Sequence, residues 1–261
     1  MPLSAVIYTS SEAFFSLRDA VRNRCRDRAI KPYTFSFAHK LKTGGIRVRV
    51  TELSQGALMP MVREMARAGK ATLASGADDE VREADYEELL ADADRARRVA
   101  ALRFASPTIV EVRGERVPFP VTGAIFARYR EIWDAFSPKR LPPTEEVVRR
   151  LRVTDFKISC AAASTEAGAE GWVCLEMEKG RTEQEIGLFN ALVDFAFYCG
   201  TGLRTDEGLG QTRRMESRRK GAEGRAASAN EALSSPLNIY ASPMGSTLLP
   251  WVSLSTSAMA R

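Results

Sequence analysis

The chain of 261 residues has one histidine, His39. That scarcity nearly excludes a Cys/His zinc site or a histidine metal cluster. The four cysteines, Cys25, Cys160, Cys174 and Cys199, are scattered without metal-ligand spacing. With no signal peptide read ahead of them, they are expected to be reduced thiols of a cytoplasmic protein. No apolar run approaches the ~18 residues of a membrane span, so no membrane partner is expected. No glycine loop ends in Gly-Lys-Ser/Thr before a helix, which excludes a Walker-type nucleotide site. Neither a metal nor a cofactor is expected.

Glycine and positive charge are present and concentrated. The composition is 44% hydrophobic, enough for a real core in one large domain or two small ones. The formal net charge of +5 mildly favours an anionic partner. From Tyr198 to Met215 the chain reads YCGTGLRTDEGLGQTRRM, with Gly200, Gly202, Gly208 and Gly210 close together and Arg204, Arg213 and Arg214 around them. Glycines this dense suit positive φ or close backbone approach. Successive loop amides form an anion-binding concavity, to which nearby arginines add charge. A dinucleotide fingerprint leaves a strand and opens a helix; here a helix enters and a strand leaves, which argues against a nucleotide cofactor. A plain glycine-rich surface turn is the competing reading.

Along the chain, residues 3–9 read as a strand. Ser10 and Ser11 can cap a following helix, with Glu12 in its first turn. Phe14, Leu17, Ala20 and Val21 form its apolar face. Arg18, Arg22 and Arg26 recur every four residues, joined by Arg24 and Arg28, and only Glu12, Asp19 and Asp27 stand nearby to neutralise them. KPYTFSFA (31–38) and IRVRVTEL (46–53) read as strands around a turn carrying His39, Lys40 and Lys42. Helices are expected over 55–69 and within the acidic stretch 76–97, and one or two strands over 99–112. The pattern suggests a βαββαβ unit with a helical insertion before its last strand. Residues 121–136 read as an amphipathic helix, and 151–162 and 171–180 as strands. Thr182 and Glu185 form a capping box for a buried helix ending at Cys199. A last strand, GLGQTRRME, leads into a tail that begins basic, with Arg218, Arg219 and Lys220.

Three blocks then carry a resemblance: KPYTFSFA with IRVRVTEL, LRFASPTIVEVRGERVPFP with the helix after it, and GWVCLEME with LVDFAFYCGTGLRTDEGLGQTRRM. Spanning roughly 31–216, they resemble the CRISPR-associated endoribonucleases that cut precursor CRISPR RNA within its repeats (Cas family six). The resemblance implies an α+β fold of two tandem ferredoxin-like (RRM-like) domains with RNA held between them. Residues 1–112 would form the first, with a helical insertion at about 55–97. Residues 113–216 would form the second, with the glycine-rich loop at 200–210, and 217–261 a basic extension. It also implies metal-independent cleavage at the 3′ side of a repeat stem-loop, leaving a 2′,3′-cyclic phosphate and a 5′-hydroxyl. The partners implied are CRISPR repeat RNA, the mature crRNA and other Cas effector subunits.

The chain departs from the family where many members place a catalytic histidine. Before the KPYTFS strand stands NRCRDRAI, with no histidine. That front and the long tail are similar to divergent members serving type IV systems. The candidate catalytic residues are therefore Arg22, Arg24 and Arg26, which can stabilise phosphorane charge, with Tyr33 or His39 as proton partners. Candidate RNA contacts are Arg18, Lys40, Lys42, Gly200, Gly202, Arg204, Gly208, Gly210, Gln211, Arg213, Arg214, Arg218, Arg219 and Lys220. The alternatives are a non-catalytic repeat-binding subunit and an unrelated α+β protein with a basic surface.

Overall fold

The computed structural model describes residues 2–74, 82–163 and 166–215. Strand β1 (Leu3–Thr9) leads into α1 (Ser11–Arg24), whose N-terminus is capped by the Ser10 hydroxyl accepting from the Ala13 amide at 3.1 Å. Next come β2 (Tyr33–Phe35), β3 (His39–Lys40), β4 (Ile46–Glu52), α2 (Met59–Arg67) and β5 (Ala71–Leu73). These strands form an antiparallel sheet in the order β2-β4-β1-β5, with β3 also against β4. That is the βαββαβ plan, closed by β5. Alternation in β4 turns Ile46, Val48 and Val50 toward Phe14, Leu17 and Val21 of α1. Helix α2 has no side-chain cap at its own N-cap position. The buried Glu52 carboxylate instead accepts from the amides of Leu58 at 3.0 Å and Met59 at 2.5 Å, placing negative charge where the helix dipole is positive.

Two short elements, β6 (Arg82–Glu83) and α3 (Tyr86–Ala91), join the halves. The second half runs β7 (Val99–Thr108), a hairpin of β8 (Val110–Val112) and β9 (Glu115–Val117), α4 (Thr122–Phe136), α5 (Glu145–Arg149), β10 (Leu151–Ala163), β11 (Glu166–Met177), α6 (Glu183–Cys199), one 3₁₀ turn (Thr205–Glu207) and β12 (Thr212–Met215). Its sheet order, β10-β11-β7-β12, repeats the order of the first. Ala100, Leu102 and Phe104 of β7 bury against Phe126, Tyr129 and Trp133 of α4 and Phe189, Leu192 and Val193 of α6. The Thr182–Glu185 capping box opens α6, as expected.

The sheets correct four expectations. Residues 99–108 start the second sheet instead of closing the first: alternation shows which face of a strand is buried but not which strand it pairs with. The helix at 59–67 is the second helix of the first unit, not an insertion, and the three-residue β5 that follows it is too short to stand out by periodicity. In the acidic stretch the described helix is only Tyr86–Ala91. Strand β11 begins at Glu166, five residues earlier than expected, where its glycines and a bulge between Ala169 and Gly171 obscure the strand pattern. The basic tail, with Arg218, Arg219 and Lys220, lies outside the described residues.

Candidate functional site

The glycine loop lies where the two units meet. Gly200, Gly202, Gly208 and Gly210 all have positive φ, and Arg204 joins them in the left-handed region at 58°. Gly208 is pressed against the first unit: a side chain there would come within 2.7 Å of the Phe37 ring. Several of the loop amides are committed to protein acceptors. Thr201 N–H donates to the Gly210 carbonyl (2.7 Å), Leu203 to Ile109 (2.8 Å) and Gly210 to Pro107 (3.0 Å). Gln211 N–H donates to the Ser106 hydroxyl, which donates to the Gly208 carbonyl. These amides stitch the loop to β7 and to the start of the β8–β9 hairpin, so they are not available for the expected phosphate cradle.

Side chains continue the seam. Buried Gln211 donates from Nε2 to the Phe35 carbonyl at 2.8 Å and accepts from the Arg49 guanidinium, which also lies over the Phe197 ring at 4.4 Å. Thr34 Oγ1 donates to the Tyr198 carbonyl at 3.1 Å, and Tyr86 donates its hydroxyl to Leu53 at 2.9 Å. Gln211 thus joins the two sheets, a role its sequence neighbours did not indicate. Arg214 is also structural here. Its guanidinium bonds both carboxylate oxygens of Asp194 (2.5 and 3.1 Å) and the side-chain and main-chain oxygens of Asn190 (3.0 Å each), tying β12 to α6.

Arg213, one residue away, points to the opposite face of the sheet and is exposed. Register places it in a row across four strands: Arg213 opposite Arg103, Arg103 opposite Trp172, Trp172 opposite Lys157. Helices α4 and α6 cover the other face, so this row faces away from the core. Asp155, Glu170 and Glu176 share the face, and Glu176 is within 3.8 Å of Arg98. Cations flanking an aromatic ring suit phosphates and an unstacked base. Arg103, Trp172 and Lys157 escaped the sequence reading because each stands singly in its strand; only the pairing aligns them.

The candidate catalytic residues do not all come together. Helix α1 stops at Arg24 with Cys25 as its C-cap, so Arg26 lies past the helix and bonds back to Asn23 at 2.9 Å. Arg24 and Arg26 are exposed. The Lys31 ammonium donates to the carbonyls of Cys25, Arg26 and Arg28 and closes that end of α1. Arg18 lies over the Phe15 ring at 5.0 Å. Arg22 crosses to the glycine loop and pairs with Glu207 at 3.2 Å, while Arg204 holds the other oxygen of Glu207 at 2.6 Å. Tyr33 is buried and its hydroxyl has no hydrogen-bond partner. Burial pushes the phenol well above its usual range, with Asp206 and Cys25 adding to the shift and Arg22 and Arg18 opposing it.

His39 and Lys40 sit on β3, not in the turn, and both are exposed; Lys42 follows them, also exposed. His39 pairs with Arg47 and Tyr33 with Glu52. Five residues along β4 separate them by about 17 Å, so one active site does not hold both.

Asp206 was not singled out by the sequence reading. It stands half-buried in the 3₁₀ turn. Burial, then the neighbouring Glu207, raises its pKa above the ordinary 3.8, against the pull of Arg22 and Lys31. The signal available was its position, an acid inside an otherwise basic glycine loop. Among the described residues no group of three or more His, Cys, Asp or Glu side chains could hold a metal ion, and no helix is long and apolar enough to cross a membrane.

Residues 102–212, under half of the chain, match the family model of the CRISPR-associated endoribonuclease Cas6. A product complex of a Cas6 superposes with a TM-score of 0.69 at 24% identity, over 83% of this chain and 100% of that one. A substrate-mimic complex of the same Cas6 gives 0.66 at 24%, over 82% and 100%. A Thermus thermophilus Cas6 gives 0.64 at 22%, over 82% and 98%. At these identities the structural likeness establishes the fold: tandem ferredoxin-like units. No curated protein matches the chain.

Proposed function

We propose that the chain acts as a Cas6-type endoribonuclease: it binds the stem-loop of a CRISPR repeat and cuts the RNA at the 3′ side of the stem, keeping the mature crRNA. The observation that carries this reading is the family match over residues 102–212. That segment contains most of the second ferredoxin-like unit, the glycine loop, and Arg103, Lys157 and Trp172 of the basic row; Arg213 stands one residue past it. A-form RNA offers backbone and minor groove, not a readable major groove, so charge and shape dominate recognition of a stem. Arg213, Arg103 and Lys157 are our candidates for phosphate contact, with Trp172 a stacking platform for an unpaired base beside the stem. Lys40, Lys42 and Arg18 of the first unit are further candidate contacts.

The proposed chemistry is transesterification. The 2′-hydroxyl beside the scissile phosphate attacks phosphorus, the bond to the 5′-oxygen breaks, and the products carry a 2′,3′-cyclic phosphate and a 5′-hydroxyl. The RNA supplies its own nucleophile, so no metal-activated water is required. Arg22 is the arginine we assign to phosphorane charge, with Arg24 and Arg26 nearby for the flanking backbone. A positioned donor of this kind contributes ~10²–10³ in rate.

The test is incubation of the full chain with a synthetic hairpin of the CRISPR repeat encoded beside this gene, in excess EDTA. A single cut 3′ of the stem, with cyclic-phosphate and 5′-hydroxyl ends, is expected. Cleavage only on adding Mg²⁺ would overturn the metal-free chemistry. Tight binding without cleavage would instead identify a repeat-binding subunit.

A further inference from the structure

An RNA-cutting site of this kind needs a proton acceptor, and the arginine cluster lacks one because a guanidinium keeps its proton above pH ~12. His39 is about 17 Å further along the sheet. A carboxylate does stand among the arginines. The 3₁₀ turn Thr205–Glu207 lies against β2 and is anchored to α1 by Arg22–Glu207. There Asp206 lies within electrostatic reach of Glu207 and Arg204 of its own loop, Arg22 of α1, Lys31 of the segment after α1, and the phenol of Tyr33 on β2. The buried Tyr33 hydroxyl has no hydrogen-bond partner, although an unmade buried bond costs ~1–3 kcal/mol. Tyr33 and Asp206 are coupled electrostatically, the carboxylate adding to the rise in the phenol's pKa.

We propose that Asp206 is the general base of this site, on the endoribonuclease reading above. Its carboxylate takes the proton of the 2′-hydroxyl as that oxygen bonds to phosphorus. The P–O5′ bond breaks and the departing 5′-oxygen takes a proton from water. Arg22 meets the charge gathering on the phosphorane oxygens. Burial makes the carboxylate a stronger base than a solvated aspartate.

The test measures single-turnover cleavage of the repeat hairpin by the full chain between about pH 5 and about pH 9, with hairpin affinity measured alongside. The wild-type rate is expected to rise with pH to a plateau. Asp206→Asn should lower the plateau by ~10²–10⁴-fold and flatten the rise, with affinity within about threefold. Asp206→Glu, which keeps the carboxylate, should restore part of the rate and the rising limb. An Asp206→Asn variant that cuts at the wild-type rate with the same profile overturns the assignment and leaves the endoribonuclease reading intact. So does one that loses affinity as much as rate, because Asp206 would then only support the fold. A wild-type chain that binds the hairpin without cutting it overturns both.

Discussion

A side chain at Gly210 would overlap the carbonyl oxygen of Thr201, in a backbone whose φ of 64° already disfavours any other residue. The same glycine donates to Pro107 and accepts from Thr201, so the loop cannot shift there without losing both bonds. Gly210→Ala is expected to lower the unfolding free energy in urea by ~2–4 kcal/mol, combining left-handed strain with the steric shift. A midpoint within error of wild type would mean that the loop relaxes freely. Four residues earlier, Asp206 is held above its ordinary pKa of 3.8 by burial. A raised folded-state pKa gives stability that is full below the unfolded pKa and lost as pH rises through the folded one. Asp206→Asn removes that loss. The variant should therefore gain on wild type as pH rises from the ordinary 3.8 through the raised folded-state pKa, read as the difference between urea midpoints. A constant difference across that range would mean a carboxyl as well solvated in the folded chain as in the unfolded one.

Strand β12 carries two arginines with opposite duties, because consecutive side chains on a strand face opposite sides of the sheet. Arg214 turns inward to Asp194 and Asn190; Arg213 turns outward beside Arg103. Arg214→Ala should cost ~2–3 kcal/mol of stability through its charge-assisted bonds. Arg213→Ala should leave stability within ~0.5 kcal/mol while reducing the salt dependence of hairpin binding by ~0.7–0.9 in log–log slope, the share of one phosphate contact. If the two variants exchange these effects, the row on the second sheet does not contact RNA. The capping box of α6 shows how far local sequence reaches: Thr182 and Glu185 satisfy each other's backbone amides within three residues, and their spacing alone predicts it.

At the scale of the molecule, the seam between units is polar at its centre. Gln211, Arg49 and the Phe35 carbonyl meet there away from water, and Arg22–Glu207 closes one end. Gln211→Leu keeps the volume but takes one hydrogen bond from the Phe35 carbonyl and one from the Arg49 guanidinium, at ~1 kcal/mol each. The expected result is a lower urea midpoint together with weaker hairpin binding, although Gln211 does not reach the surface. Lowered stability with unchanged affinity would show that binding does not require the two units to be held in register.

What the sequence determined by itself is what short-range chemistry writes. Alternation in IRVRVTEL, the caps at Ser10 and Thr182, and the apolar wrap of α6 each follow from residues within one or two turns of one another, and the glycine loop was recognisable from its density. The resemblance to a known family was legible because three such blocks stand in that family's order. Only the tertiary structure decided which sheet owns residues 99–108, because strand pairing joins segments far apart in the chain. It decided that several amides of the glycine loop are spent on protein carbonyls, a use that φ > 0 suits as well as it suits an anion. It separated His39 from Tyr33 by the length of β4. And it placed Asp206, an ordinary loop acid in sequence, against arginine, lysine and tyrosine from elements more than a hundred residues away.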